Sequence, residues 1–390
     1  MGVNQLQITD IYSILNDLHT QATGRSAIAP TNTADFVSMA TATLAAGTDP
    51  VYNQLMQMIG RTIFSVRPYD RKFDISRSNE EFGAIRRKIS YADKPLQEAS
   101  DTFAPVDGQT VDQYVINKAD PLEMRYYGSA VYRDWTTIFE DQVKVAFESP
   151  GQLGEFISGQ MTTLSNKWEQ WLEEQNRATV ANFIGAKAAA NNGIIHLLTE
   201  YNTLTGATPA LTAQDIYKPG NVDSFFRWVR ARINTLSRMM SERSGLFQVG
   251  ITGKDINRHT PAADQRMYIS APALDIIDAM VNTITYHDEP LAYADVRGVS
   301  YWQNINTPDE IQVTPAGIDA TGALTTEATQ TVSNIFGVIF DRDAIASNMY
   351  MYRIANTPLN AKGLYYNTWL NARLQYMNDL TEKGIVLLLD

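Results

Sequence analysis

Residues 149–185 carry the strongest structural signal of this 390-residue chain and read SPGQLGEFISGQMTTLSNKWEQWLEEQNRATVANFIG. The stretch opens with Ser149 as an N-cap, a proline at the first helical position, and Gln152 three residues after the serine, which together form a capping-box signal. Apolar residues then recur every three or four positions as far as Ile184, the spacing of one helix face. About 35 residues at 1.5 Å each predict a helix ~50 Å long, far longer than the average helix.

The sequence after this helix predicts a small mixed lobe and then a set of returning strands. A link rich in small and polar residues covers 186–220, and helices are predicted at 221–243 and 273–284. Short strands at 248–253, 267–271 and 298–302 alternate with them, which indicates an α/β or α+β lobe. Antiparallel strands that close the body beside the long helix are predicted at IFGVIFD (335–341), SNMYMYRIA (347–355), 364–377 and IVLLLD (385–390).

The sequence before the helix divides into an arm and a long excursion. Residues 1–60 predict an arm with a loop from Asn16 to Pro30, a helix capped by Asn32 or Thr33, and another from Asp49 to Gly60. Strand patterns at 62–66, 84–92, 111–118 and 122–135 flank polar, turn-rich sequence. We interpret 61–135 as a two-stranded excursion, because so long an irregular stretch within a compact domain is typical of a functional arm.

The composition restricts the classes of function. Hydrophobic residues make up 44% of the chain and charged residues only 19%, below the roughly 25% of average domains, while tyrosines number 19. Few charges and many aromatics are typical of protein interfaces. The net charge of −11 argues against a global nucleic-acid footprint, and the absence of cysteine excludes disulfides and thiolate sites. The N-terminal sequence does not resemble a signal peptide, and no apolar run has the length of a membrane span, so we expect a chain that acts in water.

The sequence offers little catalytic chemistry. The four histidines share no metal-ligand spacing, and we find no phosphate-binding loop, dinucleotide fingerprint or nucleophile elbow. Asp341 and Asp343 are a carboxylate pair of the kind that can divide into acid and base, but an Asp-Arg-Asp sequence after a strand is more often a turn. We therefore assign no catalytic, cofactor-binding or metal-binding residue and expect no enzymatic activity.

The distribution of charge is more informative than its sum. Residues 61–94 carry nine basic and five acidic side chains, a local charge of +4, and residues 221–244 carry five arginines against two acids, a local +3. Basic strands with interleaved aromatics could bind nucleic acid or an acidic face of a neighbouring copy. We favour the second, because it accounts for both the basic excursion and the acidic remainder. The candidate contacts between subunits are Arg71, Lys72, Arg77, Arg86, Arg87, Lys88, Glu169, Glu173, Glu174, Arg227 and Arg230.

The order of arm, two-stranded excursion, long helix, inserted lobe and returning sheet resembles the major capsid protein of tailed double-stranded-DNA bacteriophages, with the Hong-Kong-97 capsid fold. The ending SNIFGVIFDRDAIASNMYMYRIANTPLNAKGLYYNTWLNARLQYMNDLTEKGIVLLLD (333–390) is similar to that of many phage coat subunits. The stretch MYISAPALDIIDAM (267–280) is similar to one that precedes the later strands of their axial lobe.

The resemblance implies an α+β fold with named parts. These are an N-terminal arm (1–60), an extended β-hairpin loop over a neighbouring subunit (61–135), a peripheral domain with a spine helix (136–200), an axial α/β domain (201–330), and C-terminal peripheral antiparallel strands (331–390).

The resemblance also implies a structural function, with the chain forming hexamers and pentamers of an icosahedral or prolate head around packaged double-stranded DNA. The implied partners are other copies, a separate scaffolding protein, a portal, cement or decoration proteins, and DNA contacted weakly and without sequence preference. No cofactor or membrane is implied, and the expected location is the virion, assembled in the host cytoplasm. The alternatives are an encapsulin-like compartment shell, a cytosolic carboxylate-dependent hydrolase using Asp341 and Asp343, and a nucleic-acid-binding module using 61–94 and 221–244.

Overall fold

The computed structural model shows a mixed α and β protein. It describes residues 8–24, 30–45, 51, 73, 75–78, 85–94, 96, 106–108, 110, 114, 116–127, 130–284 and 295–390.

The helices and strands follow one another in an order close to the one predicted. The helices are α1 (Ile8–Thr23), α2 (Thr33–Leu44), α3 (Glu140–Ala146), α4 (Pro150–Ala189), α5 (Leu197–Thr205), α6 (Val222–Ser241) and α7 (Ala271–Ile284). The strands of the first half are β1 (Ser76–Ser78), β2 (Ile85–Tyr91), β3 (Pro121–Tyr127), β4 (Ala130–Phe139) and β5 (Ile194–His196). Those of the second half are β6 (Gln265–Ser270), β7 (Asp295–Val299), β8 (Ile311–Val313), β9 (Ala316–Ile318), β10 (Leu324–Thr326), β11 (Gln330–Val332), β12 (Ile335–Asp341), β13 (Ile345–Asn356), β14 (Tyr365–Asn378) and β15 (Gly384–Leu388).

The long helix α4 confirms the prediction made from its cap and its periodicity. It runs for 40 residues, and the Ser149 hydroxyl accepts a hydrogen bond from the Gln152 N–H at 3.3 Å. At 1.5 Å per residue its length is about 60 Å. Its C-terminal half is buried on nearly every side, and its N-terminal half packs against the arm.

A five-stranded sheet lies between α4 and the helices of the inserted lobe. Its strand order is β5-β15-β12-β6-β7, with β12 antiparallel to both β15 and β6. All seven residues of β12 are buried, because its side chains alternate between two hydrophobic cores. Val338 packs in the core that includes Phe183 of α4, whereas Ile339 packs in the core of α5, α6 and α7.

A four-stranded sheet with the order β1-β13-β14-β4 packs against the middle of α4. Strands β13 and β14 are antiparallel, as are β14 and β4, while β1 is parallel to β13. The contact with the helix is formed by Leu172, Ala372 and Leu374, which are all buried. The returning strands predicted at 335–341, 347–355, 364–377 and 385–390 are therefore present and distributed over two sheets.

The turn from α4 into β5 depends on one glycine. Gly193 has a φ of +72°, which side-chain-bearing residues rarely adopt, and a Cβ there would overlap the Gly384 carbonyl oxygen. The close approach lets the Val386 N–H donate to the Gly193 carbonyl at 2.8 Å.

Several local predictions are wrong. Residues 16–23 belong to α1 and not to a loop, because the apolar residues Ile11, Leu15 and Leu18 form one buried helix face. The predicted link 186–220 contains β5 and α5, and the predicted strand at 248–253 forms only an isolated bridge between Ile251 and Lys254. The described residues of 111–118 are not in a strand. The predicted strand at 62–66 and, apart from residue 51, the predicted helix at 49–60 lie outside the described residues.

Candidate assembly surfaces

Strands β2 and β3 form an antiparallel hairpin with two different faces. Its register runs from Ile85 opposite Tyr127 to Tyr91 opposite Pro121. Because side chains alternate along a strand, Arg87, Ile89 and Tyr91 lie on an exposed face, while Lys88 lies on the face that packs against the body of the protein. The hairpin lies within the excursion predicted at 61–135, but β1 and the first half of β4 fall in the same range and belong to the four-stranded sheet. The stretch predicted as one strand at 122–135 is divided between β3 and β4.

The packed face of the hairpin contributes to a buried ionic cluster. Lys88 Nζ lies 2.6 Å from Asp379 Oδ2 and also binds Glu382, and the Arg258 guanidinium lies 3.1 Å from Glu382. Both carboxylates belong to the turn between β14 and β15 and are less than one-tenth exposed. We call Lys88, Tyr126, Arg258, Asp379 and Glu382 the hairpin-base cluster.

Burial and neighbouring charges act in opposite directions on the pKa values of this cluster. Burial alone would lower the pKa of Lys88, but the charges of Asp379 and Glu382 outweigh it and raise the pKa above its usual value. Burial opposes ionisation of Asp379 as well, yet the Lys88 ammonium holds the pKa of that carboxyl below its usual value. Burial raises the pKa of Glu382 and of Tyr126. Lys88 and Asp379 therefore form a charged pair inside the protein.

A second set of contacts ties the far ends of the hairpin strands to the loop after α6. The Asp93 carboxylate binds the Arg243 guanidinium and accepts a hydrogen bond from the Asn257 N–H at 3.0 Å. Lys254 Nζ lies 2.5 Å from Asp120 Oδ1. The hairpin is thus attached to its own chain through Lys88 in the middle of β2 and through Asp93 and Asp120 beyond the Tyr91–Pro121 pair, and its exposed face remains open to a partner.

The predicted contact residues of the excursion have different environments. Arg87 is exposed and pairs with Glu123 at 2.7 Å, whereas Lys88 forms the intramolecular pairs of the hairpin-base cluster. Arg77 lies in β1 and Arg86 in β2. Arg71 and Lys72 lie outside the described residues.

The three acidic contact candidates of α4 do not lie together on one exposed face. Glu169 and Glu173 are buried, and only Glu174 is exposed. Glu173 pairs with Arg177 at 2.6 Å, and the Arg177 guanidinium lies 4.3 Å and 3.9 Å from the ring centroids of Phe73 and Tyr301. Phe73 and Tyr301, whose carbonyls accept hydrogen bonds from the Asn176 and Arg177 side chains, cover this side of the helix.

The remaining candidates lie on the inserted lobe and at the end of β12. Arg227 is exposed and pairs with Asp223 at 2.9 Å, and Arg230 is half-buried on the same helix. Asp341 accepts hydrogen bonds from the Thr260 hydroxyl at 2.7 Å and the Asp343 N–H at 2.8 Å, and burial raises its pKa. These bonds hold Asp341 in a turn, which agrees with the interpretation favoured from the sequence.

The described part of the chain offers neither a metal site nor a membrane-spanning helix. No group of histidine and carboxylate side chains there has an arrangement that could hold a metal ion. Among the helices it contains, none is both long and apolar enough to cross a membrane.

The sequence as a whole matches the family of Phi29-like phage major capsid proteins over residues 11–387. The chain belongs to this family. This capsid protein is accordingly a structural subunit of a phage head, and its place is in the virion. The resemblance to tailed-phage capsid proteins noted from the sequence is confirmed.

Solved structures show the same fold at low sequence identity. A capsid chain of Staphylococcus phage Andhra superposes with a TM-score of 0.52 at 12% identity, covering 82% of this capsid protein and 86% of the Andhra chain. A chain from the structure of head fiber and inner core protein gp22 of native bacteriophage P68 gives 0.50 at 9% identity, covering 81% and 83% of the two chains. No curated protein matches the capsid protein. The predicted Hong-Kong-97-like α+β fold is confirmed.

Sequence reasoning missed two features of this protein. The hairpin-base cluster joins Lys88 to Asp379, 291 residues away, and no local sequence pattern predicts such a pair. The aromatic surroundings of β4 were also missed, although the alternation of VYRDWTTIF (131–139) and the paired tryptophans at 168 and 171 are visible in the sequence.

Proposed function

We propose that this capsid protein assembles into hexamers and pentamers of an icosahedral or prolate head that encloses double-stranded DNA, and that the exposed face of the β2–β3 hairpin contacts a neighbouring copy. A separate scaffolding protein and a portal would act during assembly in the host cytoplasm, and decoration proteins would bind the completed shell. Contact with DNA would be weak and without sequence preference, in keeping with a net charge of −11.

The observation that carries the proposal is the contrast between the two faces of the hairpin. The packed face is held by buried charges of its own chain, so it is not available to a partner. On the other face, Ile89 is 52% and Tyr91 is 62% exposed, beside the exposed Arg87. Aromatic and arginine side chains are enriched among the residues that contribute most to binding at protein interfaces.

The test is a variant that removes this exposed row, Arg87→Ser/Ile89→Ser/Tyr91→Ser. The three side chains project into solvent, so we expect the variant to fold and melt like the unaltered protein, while capsomers and shells are lost. Thermal melting compares the fold of the two proteins. Size-exclusion chromatography with light scattering and negative-stain microscopy, with and without a scaffolding protein, measures capsomers and shells. The matched control is Leu204→Ser, which removes a side chain that is 69% exposed on α5 of the inserted lobe. Shell formation by the triple variant at the level of the control would refute the proposed role of the hairpin.

A further inference from the structure

The surroundings of β4 contain an unusual concentration of aromatic side chains. Four of the six tryptophans, at positions 135, 168, 171 and 369, lie on or beside this strand. Tryptophan is enriched among the residues that contribute most to binding at interfaces. A cluster of partly exposed tryptophans at the margin of a sheet is therefore a candidate contact surface.

The face of β4 that points away from α4 carries a row of exposed side chains. Val131, Trp135 and Phe139 are 57%, 54% and 51% exposed. Trp135 stacks on Trp369 of β14 with ring centroids 5.1 Å apart, and Phe139 meets Tyr365 edge-on at 6.3 Å. These pairs make an aromatic surface on the outer face of the four-stranded sheet.

The other face of β4 borders a cleft against α4. Tyr132 packs on Trp171 with ring centroids 3.9 Å apart, and Trp171 stacks on Trp168 at 5.1 Å. A cavity of about 240 Å³ opens between these rings and Leu370. Both faces of the strand are thus lined by aromatic side chains.

The edge of β4 that faces away from β14 has no partner strand within the part of the chain that the structure describes. The Trp135 N–H donates to the adjacent Asp134 carboxylate at 2.9 Å, and the Phe139 N–H donates to the Gln142 side chain at 3.2 Å. The Glu140 N–H donates instead to the Leu364 carbonyl, toward β14. Because successive residues of a strand direct their backbone groups to opposite sides, the odd-numbered residues of β4 present theirs to the open edge.

The charges along this surface change sign from one end to the other. Arg133, Arg353 and Arg373 occupy neighbouring registers of β4, β13 and β14, and all three are exposed. At the opposite end, β4 continues directly into the acidic first turn of α3. Glu140 of this turn pairs with Lys144 at 2.9 Å, and the exposed Asp141 carries the acidic character of this end. A surface that is basic at one end and acidic at the other is complementary to a copy of itself turned by half a rotation.

We propose that β4 pairs antiparallel with β4 of a second copy across a two-fold axis near Trp135. In this pairing the Trp135 N–H exchanges the Asp134 carboxylate for a backbone carbonyl of the other copy. This pairing places Val131 of one copy opposite Phe139 of the other, and it brings the acidic end of each strand toward the arginines of the other copy. The two four-stranded sheets become one sheet of eight strands, with the tryptophan pairs in a continuous row. A long edge strand with exposed apolar side chains is a template for pairing with another chain, and this pairing covers the edges of both copies at once. The inference rests on the role as a shell subunit and assigns the contact between two of its copies.

Disulfide trapping tests the pairing directly, because the chain contains no cysteine. The variant Arg133→Cys/Thr137→Cys places one thiol opposite the other across the axis, with Cα atoms about 5.5 Å apart, within the range that a disulfide spans. Within one chain the two positions are about 13 Å apart, so no internal disulfide forms. We expect assembled particles to yield disulfide-linked dimers on a non-reducing gel after mild oxidation. The control Arg133→Cys/Thr136→Cys places its second thiol on the other face of the sheet and should yield monomers.

The outcomes separate this inference from the proposed function. If the unaltered protein forms no capsomers or shells, the proposed function fails. If the cysteine variant assembles and its chains remain monomeric after oxidation, the strand pairing is overturned, and the aromatic surface belongs to another contact or to a different protein. If the first variant does not assemble, Val131→Cys/Phe139→Cys probes the same register. The variant Trp135→Lys tests the same surface through assembly. We expect it to form capsomers that no longer join into shells, and normal shells would also overturn the inference.

Discussion

Lys88 stabilises the attachment of the hairpin through a charge that the protein interior cannot leave unpaired. Removal of one partner of a buried ion pair leaves the other charge without compensation, which is more costly than the pair itself is favourable. In this protein the charge left without a partner would be that of Asp379, which is 2% exposed.

We therefore predict that Lys88→Met lowers the free energy of unfolding by about 3 kcal/mol, the lower end of the range for broken buried pairs. Arg87→Met, one residue away on the exposed face, should change it by less than about 0.5 kcal/mol. Urea unfolding followed by circular dichroism compares the two variants. Equal stabilities would show that the hairpin-base cluster does not hold the hairpin.

Lys187 is a buried lysine with polar neighbours and no close carboxylate among its hydrogen-bond partners in the described structure. Its ammonium donates to the Phe247 carbonyl at 2.7 Å and to the Asn192 side chain at 3.2 Å. Burial lowers its pKa from 10.5 to about 7. The unfolded chain therefore binds more protons than the folded one between these two values, so stability rises with pH in that interval and falls as the pH drops toward 7.

Lys187→Met should remove this dependence. Between pH 7 and 9 we expect the free energy of unfolding of the unaltered protein, measured relative to the variant, to rise by up to about 1.4 kcal/mol per pH unit. Below pH 7 the difference between the two proteins should become constant. Urea titrations at pH 6, 7, 8 and 9 give the slope, and parallel pH profiles of the two proteins would contradict the assignment.

At the scale of elements, α4 shows what local sequence determines. Its start is specified by Ser149 and the proline after it, and its length by apolar spacing, so both were predictable. The environment of its polar residues was not, because Phe73 and Tyr301 reach Arg177 from distant parts of the chain. Helix α1 was missed for a different reason. Its apolar residues do recur at helical spacing, but the polar residues between Asn16 and Pro30 suggested a loop.

The cap of α4 allows a test at this scale. Ser149→Ala removes the acceptor of the Gln152 N–H, and the loss of such a cap typically lowers stability by about 1 kcal/mol. We expect faster hydrogen exchange at the first-turn amides and unchanged exchange at the buried C-terminal half of the helix. Ser149→Asp, which keeps an acceptor, should exchange like the unaltered protein. Uniform acceleration along the helix would show that the cap has a global effect.

At the scale of the whole molecule, the amino-acid composition predicted the class of protein better than the positions of charged residues predicted its contacts. The low charge and the many tyrosines pointed correctly to a protein surrounded by copies of itself. The individual contact residues were harder to assign, since Lys88, Glu169 and Glu173 proved to be buried within the chain. Charged residues in a sequence do not reveal whether their partner is distant in the same chain or belongs to another molecule. Only the fold separates the two cases.

The position of β15 between β5 and β12 has a consequence for biosynthesis. Residues 384–388 pair with 194–196 and with 335–341, so this sheet cannot close until residue 388 has left the ribosome. Until then the nascent chain exposes unpaired strand edges and the apolar faces of both cores. Contacts so distant in sequence also slow folding, because a long loop must close before they form. We therefore expect the growing chain to need protection from aggregation, and the yield of heads, each of which needs many copies, to follow chaperone capacity.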